Sequence, residues 1–255
     1  MAIAAKQTKE QIEKSQKTKV VAVIPAYNVQ STVRKVVKEA QKIVDEVLVV
    51  NDGSSDNTYQ LLVGMNVRIV NHTKNQGLGC ALRRGFEVAL KEGYDIVVTL
   101  DSDGQHDARD IKKVIAKLIE DKADAVIGSR LLDKNQWRKF PKQRLLGNRI
   151  LTFLTNLTAG GKVTTDSQSG FRALEADCLK KLNLQSKKMA IASEIIFELA
   201  KQEAKIVEVP IKATYDKEIS NVKAISDISL ILWLLLKKRL SSRYYHLQIF
   251  KSVPP

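Results

Sequence analysis

The sequence predicts an α/β domain with a mainly parallel sheet flanked by helices. Short runs of Val, Ile and Leu alternate along the chain with segments whose apolar residues recur at helical spacing. Uninterrupted apolar runs are typical of strands that are buried on both faces, as parallel strands between two layers of helices are. The chain has 255 residues, 44% of them hydrophobic, which is enough for one large domain with a sizeable core.

The first half of the chain alternates regularly between the two kinds of element. Strands are predicted at residues 20–25, 46–52, 66–72, 95–101 and 123–130. Helices are predicted at residues 31–44, 77–93 and 108–121. In the less regular second half we predict helices at 144–157 and 190–204, a polar loop at 166–173 and a strand at 205–215.

The domain organisation follows from the absence of linkers and repeats. We expect a charged tail at residues 1–18, a single catalytic domain at 19–225 and a basic, amphipathic C-terminal segment at 226–255. The tail has no apolar core of the kind a signal peptide has, and the apolar run at 230–236 is too short to span a bilayer.

The chain carries a net charge of +14, which points to an anionic partner. Nucleic acid, an anionic membrane surface and a phosphorylated substrate all remain candidates. Aromatic residues make up only 5% of the chain and no nucleic-acid-binding motif is present. A basic nucleic-acid-binding protein is therefore the non-enzyme alternative, and we expect no nucleic-acid partner.

Three predicted strands end in polar residues, at positions 25–28, 51–54 and 101–103. Ligands of parallel α/β sheets bind beyond the carboxyl ends of the strands, so these three ends should form one site. The sequence lacks the glycine spacing of a dinucleotide fingerprint or a P-loop, which disfavours a dehydrogenase or an NTPase.

The stretch DSDGQH follows the strand at 95–101 and predicts a metal site. Asp101 and Asp103 repel each other unless a cation lies near them, and oxygen ligands without a His/Cys cluster suit Mg²⁺ or Mn²⁺. Gln105 adds a neutral oxygen. The alternative is a solvated turn. We expect His106 to be an exposed turn histidine rather than a ligand, and Asp107 to start the next helix.

Five motifs, PAYN, NDGSSDNT, NQGLGCALRRG, DSDGQH and DSQSGFRA, occur in an order that resembles family-2 glycosyltransferases of the GT-A fold. Within that family the chain is similar to dolichyl-phosphate mannosyltransferases and related polyprenyl-phosphate glycosyltransferases. The resemblance covers about residues 19–225.

The resemblance implies roles for individual residues. Asp101, Asp103 and Gln105 match the metal ligands, and Asp101, Asp103 and Arg130 are the expected catalytic residues. The positions that match nucleotide-sugar contacts are Pro25, Ala26, Tyr27, Asn28, Val50, Asp52, Gly77, Asp101, Ser102, Asp103, Arg130, Lys217 and Lys223. The positions that match contacts to the acceptor phosphate are Arg130, Arg144, Asn148, Asp166, Ser169 and Arg172.

The chain departs from the family pattern at two positions on the nucleotide side and at two in the late loop. Val29 stands where the family often has Glu, and Asn51 begins NDGS where the family has DDGS. Both changes remove a carboxylate from the nucleotide side. In the late loop KEISNVK, Lys217 replaces an arginine and Ser220 a glycine.

The resemblance implies an inverting, metal-dependent transfer of a hexose, expected to be mannose from GDP-mannose, to dolichyl or polyprenyl phosphate. The alternatives are a UDP-sugar donor, as in a dolichyl-phosphate glucosyltransferase, or a different acceptor. Since the acceptor lives in a bilayer, we expect a peripheral protein on the cytoplasmic face of a membrane, with a small membrane subunit as a possible partner. The segment 226–255 is the expected docking element, and the alternative is that it packs on protein.

Overall fold

The computed structural model describes residues 18–214 together with Ile231, Lys237 and Lys238. A sheet of seven strands occupies the centre of this region in the order β3-β2-β1-β4-β6-β5-β7. The strands are β1 (Val20–Ala26), β2 (Glu46–Asn51), β3 (Arg68–Asn71), β4 (Ile96–Thr99), β5 (Ala125–Ser129), β6 (Arg172–Glu175) and β7 (Ile206–Pro210).

Seven α-helices connect or follow the strands in the described region. They are α1 (Val33–Ala40), α2 (Thr58–Val63), α3 (Leu78–Lys91), α4 (Ile111–Glu120), α5 (Lys142–Ala159), α6 (Ala176–Leu179) and α7 (Ile191–Lys201). Short 3₁₀ turns at Ala108–Asp110 and Lys134–Lys139 precede α4 and α5. No helix in this part of the chain is long and apolar enough to cross a membrane.

The core lies on both faces of the sheet, as the continuous apolar runs predict. In β1, Ile24 belongs to the apolar cluster that includes residues of α1, α2 and α4, whereas Val23 belongs to the cluster with α3 and α7. Successive strand residues point to opposite faces, so one run of apolar residues supplies both clusters. Full burial of a side chain such as that of Phe86 stabilises the fold by about 1.5–3 kcal/mol.

Strand β6 corrects one expectation. Residues 166–173 were expected to be a polar loop, but β6 begins at Arg172 and runs antiparallel to both β4 and β5 in the middle of the sheet. Because Arg172 is charged, the sequence pattern at this position does not indicate a buried strand. The side chain is nonetheless buried, because one of its terminal nitrogens donates hydrogen bonds to the carbonyl oxygens of Ser167 and Ala192, at 3.0 and 2.9 Å.

Several expectations fall outside the described residues. These are the tail, of which only Thr18 is described, the late loop with Lys217 and Lys223, and the segment 226–255 apart from Ile231, Lys237 and Lys238. Lys238 forms ion pairs with the buried carboxylates of Glu194 and Glu198 on α7, at 2.9 and 2.5 Å. This residue of the C-terminal segment therefore packs on protein.

Candidate active site

The three polar strand ends meet at one edge of the sheet, as the sequence predicts. Strands β2, β1 and β4 are neighbours and parallel, so their carboxyl ends lie side by side. The buried Ser102 hydroxyl donates to the carbonyl of Pro25 at 2.6 Å, which joins the ends of β4 and β1. The Oδ1 atom of Asn28 accepts from the Ser55 amide at 2.8 Å, which joins the ends of β1 and β2.

Asp101 and Asp103 lie in the turn that follows β4, which ends at Thr99. The carboxylate of Asp101 packs directly on Gly170, where an added Cβ would lie 2.4 Å from both carboxylate oxygens. Asp103 is exposed, and its Oδ1 accepts from the backbone amide of Gln105 at 2.9 Å. This turn holds both carboxylates near the ends of β1 and β4.

The electrostatics of the two carboxylates favour a cation between or beside them. Burial raises the pKa of Asp101 above its ordinary value, against the opposing effect of Arg130, Arg172 and Arg144. Although Asp103 is exposed as a residue, partial desolvation of its carboxyl, and then the charge of Asp101, raise the pKa of Asp103. Because the charge of Asp101 raises the pKa of Asp103, a divalent cation bound there would remove the repulsion between the two carboxylates.

His106 is buried, which corrects the expectation of an exposed turn histidine. Its ring packs edge-on against Phe171 at 5.6 Å, and Nδ1 lies 3.9 Å from Oδ2 of Asp101. Within the described residues neither ring nitrogen has a hydrogen-bond partner. Burial lowers the pKa of His106 to about 4, so the ring is neutral at pH 7. Asp107 does start the next turn, because its side chain accepts from the amide of Arg109.

Arg130 and Asp166 form a buried ion pair beside the carboxylates. Nε of Arg130 lies 2.7 Å from Oδ2 of Asp166 and Nη2 lies 2.9 Å from Oδ1, while the Arg130 amide also donates to Oδ2. Burial raises the pKa of Asp166, but Arg130 outweighs that effect and holds the pKa below its ordinary value. Arg130 directly follows β5, and its charge acts on Asp101.

The other residues matched to the acceptor phosphate lie around this pair. The hydroxyl of Ser169 is buried and donates to the carbonyl of Gly128 at 2.6 Å. Burial lowers the pKa of Arg172 to about 10, and Nε of this side chain has no partner among the described residues. On α5, Arg144 is half-buried and acts electrostatically on both site carboxylates. The Nδ2 amide of Asn148 is shielded from solvent and makes no hydrogen bond within the described region.

Asp52 is held by the protein at the end of β2. Its Oδ1 lies 2.6 Å from Nδ1 of His72 and accepts from the Gln76 amide at 3.0 Å. Its Oδ2 accepts from the amide of Gly77 at 2.8 Å. Gly77 has a φ of 97°, and an added Cβ would lie 2.5 Å from the carbonyl oxygen of Lys187. Asp52 therefore fixes the turn that begins α3, and sequence reasoning missed His72 as its partner.

The remaining residues matched to the nucleotide frame the ends of β1 and β2. Pro25, Ala26 and Val50 are buried strand residues, whereas Tyr27 is 47% exposed. Asn28 is exposed and has a φ of 51°, a left-handed conformation that asparagine tolerates better than most residues. A polar cleft of about 280 Å³ lies between the ends of β2 and β3 and includes Asn51 and His72 in its lining.

The residues present fit a divalent cation whose ligands come partly from the protein and partly from a bound diphosphate. Within the described ranges no group of three or more His, Cys, Asp and Glu side chains could hold a metal ion. Asp101, Asp103 and the amide oxygen of Gln105 supply oxygen ligands, and diphosphate oxygens would complete the set. The fit rests on this set of oxygen donors on one turn after β4, and the raised pKa of both carboxyls agrees with it.

The fold is of the GT-A type, and three comparisons with known proteins agree with this assignment. The pattern of glycosyl transferase family 2 matches residues 21–182. A UDP-N-acetylglucosamine–dolichyl-phosphate N-acetylglucosaminyltransferase of Methanococcus voltae is 37% identical over 76% of this chain and 84% of its own. An undecaprenyl-phosphate mannosyltransferase of Micrococcus luteus is 30% identical over 76% of this chain and 82% of its own.

A solved structure shows the same fold at low identity. Glucosyl-3-phosphoglycerate synthase of Mycobacterium tuberculosis, in complex with Mn²⁺, UDP and phosphoglyceric acid, superposes with a TM-score of 0.69 at 18% identity. The match covers 91% of this chain and 81% of that one. The chain belongs to glycosyl transferase family 2. It is a glycosyltransferase similar to the dolichyl- and polyprenyl-phosphate enzymes of that family.

Proposed function

We propose that the protein is an inverting, metal-dependent glycosyltransferase that moves a sugar from a nucleoside diphosphate to a polyprenyl phosphate. The observation that carries the proposal is the adjacency of the Asp101–Asp103 carboxylates to a set of arginines at one sheet edge. The charges of Arg130 and Arg144 act on Asp101, and that of Arg172 does so as well. An acidic pair for a cation beside cationic side chains suits a reaction between two phosphate-bearing reactants.

The chemistry follows from the charges of the reactants. A phosphate oxygen of the acceptor attacks the anomeric carbon while the bond from that carbon to the diphosphate oxygen breaks, and this in-line displacement inverts the anomeric configuration. The acceptor phosphate is already ionised near neutral pH, so no strong general base is needed. A bound Mg²⁺ or Mn²⁺ offsets the charge that grows on the leaving diphosphate.

The residues of this chain supply binding and orientation. Asp101, Asp103 and Gln105 would hold the cation, and Arg130 and Arg144 would hold the acceptor phosphate against the donor. The Nδ2 amide of Asn148, which makes no hydrogen bond within the described residues, is a candidate donor to the same phosphate. Lys217 and Lys223 remain proposed contacts to the donor phosphates. Because Asp166 orients Arg130 and Asp52 fixes the turn before α3, these two carboxylates act mainly by positioning.

We also propose which nucleotide sugar is the donor. GDP-mannose is the expected donor, and a UDP-sugar is the second candidate. The absence of a carboxylate at positions 29 and 51 does not select between the two bases, whereas a relative at 37% identity that is named for UDP-N-acetylglucosamine supports the second. We further propose that the protein works at the cytoplasmic surface of a membrane, where its acceptor resides.

A panel of labelled sugar nucleotides tests the proposal. GDP-mannose, UDP-glucose and UDP-N-acetylglucosamine are each incubated with dolichyl phosphate and Mn²⁺ or Mg²⁺, with and without EDTA. We expect a lipid-linked product from one donor that disappears with EDTA. No lipid-linked product from any donor would refute the proposal, and a product that persists in EDTA would refute the metal assignment.

A further inference from the structure

Helix α5 carries a stripe of large apolar side chains that faces solvent. Leu146, Ile150, Phe153 and Leu157 are 61%, 41%, 66% and 57% exposed. They are spaced by four, three and four residues, which places them on one side of the helix. Isolated exposed apolar residues are ordinary, but a contiguous row of four along one helix marks an interaction surface.

The opposite side of α5 packs on the domain through hydroxyl groups. Thr152, Thr155 and Thr158 are the buried residues of this helix. The hydroxyl of Thr155 donates to Ser193 on α7 at 2.9 Å, and that of Thr152 lies 3.2 Å from the hydroxyl of Ser167. The helix is therefore inverted relative to an ordinary surface helix, with small polar residues inside and large apolar residues outside.

The surroundings of the stripe are basic. Lys142, Arg149 and Lys162 are exposed on or just after α5, and residues 142–165 contain no Asp or Glu. The guanidinium of Arg149 lies 5.1 Å from the centre of the Trp137 ring, which adds an aromatic side chain to the same region. An apolar stripe with a basic and aromatic border is complementary to the headgroup region of an anionic bilayer.

The position of α5 connects this surface to the active site. Arg144, in its first turn, acts electrostatically on Asp101 and Asp103. An open cavity of about 620 Å³ lies along the helix beside Phe153 and Leu157. The first turn of α5 thus lies near the carboxylates, whereas the apolar stripe continues farther along the same helix.

We propose that α5 is a membrane-docking element that seats its apolar stripe in the headgroup region of an anionic bilayer. This inference deepens the proposed function, since it rests on an acceptor that resides in the membrane. It places the docking surface inside the catalytic domain, on a helix that also supplies Arg144. The stripe and its basic border act together, the first through burial of apolar area and the second through attraction to anionic lipid.

Vesicle sedimentation of the full chain tests the inference. Vesicles of phosphatidylcholine mixed with phosphatidylglycerol are compared with vesicles of phosphatidylcholine alone, for wild type and for Phe153→Glu/Leu157→Glu. We expect the double variant to bind the anionic vesicles at least about tenfold more weakly, because two large apolar side chains no longer enter the bilayer. Lys162→Glu should weaken binding only to the anionic vesicles.

Ile119→Glu is the matched control, because Ile119 is 56% exposed on α4 and has no place in the stripe. This variant should bind vesicles as wild type does. Unchanged vesicle binding by the double variant would overturn the inference. The wild-type protein could instead fail to bind vesicles and form a dimer that the double variant disrupts. That result would assign the stripe to a contact with a second copy of the chain, and would also overturn the inference.

Failure of the inference is separable from failure of the proposed function. Transfer to a short, water-soluble prenyl phosphate should be the same for the double variant and wild type, whereas transfer to long-chain polyprenyl phosphate in vesicles should fall with binding. A protein that binds vesicles through α5 but glycosylates neither acceptor would refute the function and leave the docking surface intact.

Discussion

The guanidinium of Arg130 and the carboxylate of Asp166 form a two-point ion pair in which the side chains are only 5% and 0% exposed. The partners are 36 residues apart in the chain and come from the end of β5 and the loop before β6. The pair fixes the direction of an arginine whose charge reaches Asp101. The buried pair thus holds the charge of Arg130 in a fixed direction near Asp101.

Replacing Asp166 with Asn should destabilise the protein strongly. The change leaves the buried guanidinium of Arg130 without its counter-charge, and breaking such a pair costs about 3–5 kcal/mol. Urea unfolding monitored by circular dichroism measures the loss. The double variant Arg130→Met/Asp166→Leu should recover much of the stability while transfer stays absent, which separates folding from catalysis. A stable, inactive Asp166→Asn protein would contradict the first part.

The same pair predicts an acid-dependent stability. Because the pKa of Asp166 lies below the ordinary 3.8 in the folded protein, the unfolded chain binds the proton more readily. The stabilisation is therefore fully present above that value and is lost as pH falls through the folded pKa. We expect the difference in unfolding free energy between wild type and Asp166→Asn to be greatest at neutral pH and to shrink below pH 3.8. A difference that is constant down to low pH would contradict this assignment.

Gly170→Ala should reduce transfer by displacing Asp101. The new Cβ would lie 2.4 Å from both carboxylate oxygens of Asp101, and the flexible carboxylate must move away. We expect about a 10²-fold lower rate, as for other small misplacements of catalytic groups, with a larger requirement for Mn²⁺. Gly147→Ala is the control, since an added Cβ there has no neighbour within 4 Å. Equal activity of the two variants would show that Asp101 is not held by this contact.

Asp103→Ala should abolish transfer and leave the fold intact. The side chain is exposed, and its one hydrogen bond to the described residues goes to the Gln105 amide, so little stability is lost. Transfer assays at increasing Mn²⁺ concentration, together with a thermal melt, provide the measurement. Activity close to that of wild type would refute the assignment of Asp103 to the metal.

His72→Phe should weaken binding of the donor and leave binding of the acceptor unchanged. The ring would no longer donate to Asp52, so the turn at Gln76 and Gly77 that Asp52 fixes would loosen beside the nucleotide residues. We expect KM for the sugar nucleotide to rise about tenfold, in line with a loss of roughly 1.4 kcal/mol, and KM for the lipid to stay unchanged. A change confined to the acceptor KM would place His72 elsewhere in the mechanism.

Local patterns in the sequence determined most of the framework. Continuous Val/Ile/Leu runs identified β1, β2, β4 and β5 because strands buried on both faces need no alternation. Polar residues at three strand ends predicted one shared edge, and the structure brings those ends together. Each of these inferences depends on residues that are close in the chain or on a general rule for parallel sheets.

The tertiary structure alone decided what the charged and polar side chains contact. The sequence pattern around Arg172 is typical of a loop. In the structure, Arg172 begins β6, which pairs with β4 on one side and β5 on the other. His106 became a buried, neutral ring because Phe171 covers it, and the helical pattern of α5 did not reveal that its threonines face inward. Such outcomes depend on desolvation and on partners distant in the chain, which set the free energy of a buried polar group.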